Sequence, residues 1–308
     1  MNAVAVILEA PERLSLRSLA LNAMGPADVR VEIDWSGISS GTEKLLWTGQ
    51  MPRFPGMGYP LVPGYESIGR IVDAGAEARS RVGDWVFVPG ANCYRDARGL
   101  FGGTARTLVL PQARAIPIAE SLGRDGILLA LAATAYHAIS VGGVPELVVG
   151  HGVLGRLIAR IAVATGGTAP NVWEVDPTRR DGFGYPVIDP AADERRDYAV
   201  ICDASGAPDI LDLAFPRLAK KGELVLAGFY DRLSFAFPPA FMREARMRVS
   251  AEFTPADVAA VVALLNVGLL DLDGLISHPR PAAQAADAYP QAFTDQGCLK
   301  MVLDWRTM

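Results

Sequence analysis

The first third of the chain alternates apolar and polar positions over short runs. Ala3–Leu8, Val29–Ser36, Ser67–Ala74, Trp85–Pro89 and Ala105–Leu110 read as strands, separated by turns rich in Gly, Pro and Asp. The period then lengthens. Residues 124–141 read as a helix. From Leu147 the order becomes strand, helix, strand. An apolar run, Leu147-Val148-Val149, precedes a stripe at helical spacing, Leu154, Leu157, Ile158, Ile161, Ala162 and Thr165, and then a strand at Asn171–Asp176. Strands at Tyr198–Asp203 and Glu223–Ala227 flank a helix at Asp209–Ala219. This alternation predicts an α/β unit with a doubly wound parallel sheet. Thr254-Pro255 opens a helix at Ala256–Val267, and Cys298–Asp304 closes the chain as a strand. The organisation expected is a β-rich first part (1–118), a nucleotide-binding unit (119–253) and a tail (254–308) that returns to the first part.

Composition narrows the class. With 308 residues, half of them apolar, the chain can fill two domains. A net charge of −5 and the lack of any basic run argue against a nucleic-acid surface. Three scattered cysteines make neither a disulfide framework nor a zinc knuckle. The N-terminus lacks a basic n-region and reads as a first strand. No apolar run is long enough for a transmembrane segment. A cytoplasmic protein is expected. Peripheral contact with a membrane and a homodimer are both left open.

The chemistry starts at Val149-Gly150-His151-Gly152-Val153-Leu154-Gly155, a Gly-x-Gly-x-x-Gly turn between strand and helix. Gly150 permits the tight turn, Gly152 lets backbone approach a pyrophosphate, and Gly155 lets helix and strand pack closely. The phosphates would meet free N–H groups at the helix N-terminus, including those at Val153 and Leu154. His151 either bonds a phosphate or faces solvent. Asp176, with Glu174 two residues earlier, is the carboxylate expected on the adenosine ribose. An acid there favours NAD, whereas Arg179 and Arg180 would suit the extra phosphate of NADP. The cofactor expected is NAD.

Gly37-Ile38-Ser39-Ser40-Gly41-Thr42-Glu43, Pro63-Gly64-Tyr65-Glu66-Ser67-Ile68-Gly69, Gly83-Asp84-Trp85-Val86, Gly102-Gly103-Thr104-Ala105-Arg106 and Thr134-Ala135-Tyr136-His137-Ala138 complete a set. With the glycine turn, they make the chain resemble the medium-chain dehydrogenase/reductase family over essentially its whole length. That resemblance implies a Rossmann doubly wound sheet plus a GroES-like, β-rich catalytic domain. It also implies that Thr134 and Lys300 lie on the dinucleotide, Lys300 reaching the pyrophosphate. The departures are as informative. Zinc members carry a cysteine where this chain has Ser40, or Ser39 if the extra residue is placed differently. They carry a histidine at Tyr65 and a third ligand at Ala130. Hydroxyl, phenol and methyl do not make a zinc site, so no metal is expected. A zinc-free branch that oxidises bacteriochlorophyllides is more similar still, over Trp35–Trp47, Phe54–Ser67 and Val148–Leu157. This similarity implies a tetrapyrrole substrate, with NAD taking the hydride from its 3-(1-hydroxyethyl) group in bacteriochlorophyll a synthesis. Alternatives are a zinc-free NADPH-dependent quinone or enone reductase, and a dinucleotide-binding sensor without turnover.

Oxidising a secondary alcohol without a metal needs groups that stabilise the developing alkoxide and carry its proton away. Tyr65, Ser40 and Thr42 stand at positions resembling the ligand and relay sites and form the candidate hydroxyl relay. Tyr65 is the first candidate; its alternative is packing on the cleft floor. Glu66 or Glu43 would orient the relay or accept the proton. Trp47, Met51, Phe54, Met57 and Tyr59 give the loop Leu45–Tyr59 an apolar lip suited to a flat ligand, or to packing on the core. His137, on an apolar helix, is a candidate for substrate contact or a satisfied core histidine.

Overall fold

Residues 1–230 and 232–308 are described by a computed structural model. They form two units, Met1–Ala130 with Asp273–Met308, and Leu131–Leu272.

In the first unit β1 (Asn2–Ala10) pairs antiparallel with β2 (Arg13–Ala20), a strand the sequence reading leaves out. The next elements are β3 (Asp28–Ile38), helix α1 (Thr42–Thr48), β4 (Leu61–Val62), β5 (Ser67–Ala74), β6 (Trp85–Val88), β7 (Arg98–Gly99), β8 (Thr107–Pro111) and β9 (Ile116–Pro117). Helix α1 takes up the start of what reads as a loop at Leu45. β3 is the hub. It pairs antiparallel with β5 and β8, because its alternating Val29, Val31 and Ile33 turn fully buried side chains to one face.

In the second unit α2 (Leu129–Ser140) leads into β10 (Leu147–Val149) and α3 (Val153–Ala164). Then come β11 (Asn171–Trp173), β12 (Val187–Ile188), β13 (Tyr198–Asp203), α4 (Ile210–Ala214), β14 (Leu218–Leu226), α5 (Phe237–Arg243), β15 (Arg246–Val249) and α6 (Pro255–Asn266). The six strands pair in parallel in the order β12-β11-β10-β13-β14-β15, a doubly wound sheet. α4 is shorter than its apolar pattern suggests, since Pro216 lacks the N–H that would continue it. α6 begins with a capping box: Asp257 N–H donates to Thr254 Oγ1 at 3.3 Å, and Thr254 N–H to Asp257 Oδ2 at 2.7 Å. This helix, read from sequence with the returning tail, belongs to the second unit. The tail then adds β16 (His278–Pro281), α7 (Ala285–Thr294) and β17 (Met301–Asp304) to the first unit. β17 runs antiparallel beside β3, with Met301 opposite Ile38. Trp305 is fully buried, and its indole N–H donates to Ser36 Oγ at 2.9 Å.

The glycine turn divides into packing and open positions. A Cβ on Gly155 would stand 1.9 Å from the Gly150 carbonyl oxygen, so helix and strand touch there. A Cβ on Gly152 would meet nothing nearer than Arg179 Nη2 at 3.8 Å. Gly155→Ala is therefore expected to cost about 1–3 kcal/mol, the usual range for overpacking. Gly152→Ala should melt like the parent. Thermal melts of the two variants check this contrast.

Candidate active site

The segment from Gly37 to Glu43 leaves β3 and enters α1. Glu43, in the first turn of α1, folds back over it. Its Oε1 accepts the Ser39 N–H at 3.0 Å, and its Oε2 accepts the Tyr289 hydroxyl at 2.7 Å. Ser39 Oγ accepts the Tyr65 hydroxyl at 2.9 Å and the Thr42 N–H at 3.3 Å. Ser39 is buried and Ser40 is exposed. Ser40, expected in the hydroxyl relay, lies outside this cluster, and Ser39 takes its place beside Tyr65. Glu43 draws the Ser39 peptide inward, and the next side chain faces the other way. Thr42 stays with the cluster, and Tyr289, on α7, is a member the sequence reading missed.

Tyr65 stands edge-on to Phe101, ring centroids 5.6 Å apart. Burial and the neighbouring Glu66 push its hydroxyl above the ordinary tyrosine range, and hydrogen bonds with Ser39 and Thr42 only partly offset this. The phenol therefore keeps its proton at neutral pH. Glu43 is fully buried, and burial pushes it up to about 7. Glu66 is also fully buried and raised for the same reason, opposed by the ammonium of Lys300, with which its Oε2 pairs. Glu66 Oε1 has no hydrogen-bond partner among the described residues. Gly37 makes the seat: a Cβ there would lie 2.2 Å from Glu66 Oε2 and 3.0 Å from Lys300 Cε. Lys300, expected to reach a pyrophosphate, is 3% exposed and holds Glu66 instead.

The apolar lip is mostly packed. Trp47 lies 6.4 Å from the Tyr289 ring and 6.5 Å from Phe293. Tyr59 donates its hydroxyl to the Leu46 carbonyl, and Met57 packs with Leu8, Leu46 and Leu61. Phe54 alone of the five lip residues is exposed, at 39%.

In the second unit Gly150 takes a left-handed φ of +92°, and Gly152 caps α3 with no side chain on its first N–H groups. Val153 and Leu154 open that helix and Thr134 sits half-buried on α2. These features fit a dinucleotide phosphate. His151 neither faces solvent nor is free for a phosphate. It is fully buried, with Nδ1 2.6 Å from the Arg179 carbonyl oxygen and Nε2 3.1 Å from the Tyr185 hydroxyl. Burial pushes it down to about 4, so it is neutral. The second strand ends at Trp173 rather than Asp176, because the chain turns there. Glu174 Oε1 accepts the Asp176 N–H at 2.9 Å, and Asp176 Oδ1 caps the turn at Thr178. Both carboxylates stay at the strand's carboxyl end, Glu174 buried and Asp176 half-exposed. Arg180 is held by the Glu174 and Val175 carbonyls and by Asp189 at 2.7 Å. His137 turns to Asp257, Nδ1 to Oδ2 at 3.0 Å, and so ties α2 to the cap of α6. At the end of β13, Asp203 is fully buried beneath the hydroxyls of Ser205 and Tyr230, which sequence reasoning also missed.

Comparison with known proteins places this arrangement. Residues 25–120 match the family described as the alcohol dehydrogenase GroES-like domain. L-idonate 5-dehydrogenase from Escherichia coli superposes with a TM-score of 0.87 at 18% identity, covering 99% of both chains. A short chain alcohol dehydrogenase from E. coli CFT073, solved with NADH, superposes with a TM-score of 0.85 at 21% identity and the same coverage. The chain belongs to the medium-chain dehydrogenase/reductase family, with its Rossmann and GroES-like architecture. Two relatives, from Rhodobacter capsulatus and Cereibacter sphaeroides, are each 55% identical over 99% of both chains. Each bears the name 2-desacetyl-2-hydroxyethyl bacteriochlorophyllide A dehydrogenase.

The buried pair makes a direct prediction. Lys300→Met leaves Glu66 as an unpaired buried acid and should cost about 3–5 kcal/mol. Adding Glu66→Leu should recover much of that loss. Urea melts of the double-mutant cycle measure the coupling.

Proposed function

We propose that this protein oxidises the 3-(1-hydroxyethyl) group of a bacteriochlorophyllide to 3-acetyl, with NAD as hydride acceptor and no zinc. The observation that carries the reading is the 55% identity, over 99% of each chain, to two proteins named for that dehydrogenation. The donor set supports the metal-free part. Ser39, Tyr65 and Ala130 occupy the positions that correspond to zinc ligands, and a phenol whose ionisation is pushed upward is a poor partner for zinc.

NAD, when bound, supplies the hydride acceptor at nicotinamide C4. Its phosphates would be held by the backbone at Gly150, Gly152 and the start of α3, and its adenosine ribose by Glu174 or Asp176. The commitment of Arg180 to Asp189 and two carbonyls supports NAD over NADP, since that guanidinium is not free for a 2′-phosphate. Tyr65 does the work at the substrate oxygen. Its phenol accepts the hydrogen bond of the alcohol while donating its own to Ser39 Oγ, and as the hydride leaves the alcohol's proton would pass into this hydroxyl line, with Glu43 or Glu66 as its final acceptor. Phe54 offers an exposed ring to the flat macrocycle. The expected setting is the cytoplasm. No helix among the described residues is long and apolar enough to cross a membrane.

The test is one reaction with purified protein, NAD and 3-(1-hydroxyethyl)bacteriochlorophyllide a in the presence of a zinc chelator. Near-ultraviolet absorbance of NADH and the red band of the macrocycle should change together. NADPH-dependent reduction of a conjugated double bond instead, or cofactor binding with no turnover, would overturn the reading. Tyr65→Phe should lower kcat by about 100-fold or more while leaving NAD affinity unchanged.

A further inference from the structure

Tyr289 lies 246 positions from Glu43 in sequence, yet its hydroxyl is one of the two groups that hold this carboxylate. Both side chains are fully buried. Neither touches solvent, and neither is needed to fill space as a polar group, since the ring of Tyr289 already packs on Trp47 and Phe293. The bonds run in one line. Tyr289 donates to Glu43, Glu43 accepts the Ser39 N–H, and Ser39 Oγ accepts the Tyr65 hydroxyl. We propose that Glu43 and Tyr289 are a positioning pair that sets the orientation of the Tyr65 hydroxyl through Ser39. This rests on the reading of Tyr65 as the group at the substrate oxygen.

The pair has a protonation-dependent grip. Ionised, Glu43 offers an acceptor oxygen to each partner. Protonated, one oxygen carries a hydrogen and becomes the weaker acceptor, so one of the two bonds loosens. Burial favours the protonated form and brings the midpoint to about 7, against the bonds from Tyr289 and Ser39. Glu66, beside Tyr65, pushes the same way, and Lys300, before β17, opposes it. The orientation is therefore held above about pH 7 and loosened as pH falls through it. Removing the Tyr289 hydroxyl deletes a bond that favours ionisation, so the midpoint must move upward.

The test needs no substrate. Ligand-free protein labelled with 13C at tyrosine Cζ gives a Tyr65 signal, identified by its loss in Tyr65→Phe. In the parent this signal should shift with a midpoint near pH 7. Tyr289→Phe, which keeps the packed ring, should move that midpoint to higher pH. Glu43→Gln should abolish the shift, and Ser39→Ala should greatly weaken it. A Tyr65 signal indifferent to Glu43→Gln or to Tyr289→Phe overturns the proposal. So does a full response in Ser39→Ala, which would mean that charge acts through space without positioning. In turnover, kcat should fall about 10-fold or more in Glu43→Gln at alkaline pH and lose its acid limb, with KM for NAD unchanged. Absence of turnover in the parent would remove the substrate reading, while the coupling is still judged on the Tyr65 signal.

Discussion

A carboxylate and an ammonium buried together, Glu66 and Lys300, tie two distant stretches of the first unit to each other. Taking both charges out of water is costly, and only close pairing in a shaped seat offsets it. The seat is Gly37, where a single methyl group would collide with Glu66 Oε2. The pair joins the loop before β5 to the residue before β17. The pair thus anchors the tail beside β3, with which β17 pairs antiparallel.

That constraint also sets the chemistry next door. Tyr65 precedes Glu66, and its burial, with Glu66 adding to the effect, disfavours a negative charge on the phenol. The cluster beside it is lined by the hydroxyls of Ser39, Tyr65 and Tyr289. On the proposed metal-free reading, charge developing at the substrate oxygen is met by hydrogen bonds of fixed direction. Fixed direction is what Ser39 supplies, and Ser39 owes its inward orientation to Glu43. On the proposed reading the two buried acids act together: burial, reinforced by Glu66, keeps the phenol protonated, and Glu43 aims it.

What the sequence made legible was local. Strand alternation, the glycine turn and the cap at Thr254 each depend on residues within a few positions, and each appears where the pattern puts it. The misplaced features depend on distant partners or on where the chain turns. The sequence reading puts Ser40 ahead of Ser39 because nothing in seven residues says which one Glu43 will draw inward. Lys300 looked free because its partner lies 234 positions away in the chain. His151 sits in a motif that suggests a phosphate, but Tyr185 and the Arg179 carbonyl reach it first. The loop from Leu45 to Tyr59 is rich in aromatic and apolar residues in either reading, and only packing distinguishes a lip from a core. β15 and α5 escaped notice because their apolar residues, Met247, Val249, Phe237 and Phe241, face outward and break the expected period.

The second unit carries the same lesson at the cofactor end. Ending β11 at Trp173 moves Glu174 to the strand terminus and lets Asp176 cap the following turn. An acid at either position opposes a 2′-phosphate, so the proposed preference for NAD does not depend on which of them meets the ribose. Arg180 reinforces it from the other side, since its guanidinium is locked by two carbonyls and Asp189. Arg179 is less tied. Its Nη2 reaches the His151 carbonyl only at 3.5 Å, and its Nε stays 4.0 Å from Glu174. It lies beside Gly152, where the backbone is open, so its charge is better placed for phosphates at the turn than for a 2′-phosphate beyond two carboxylates.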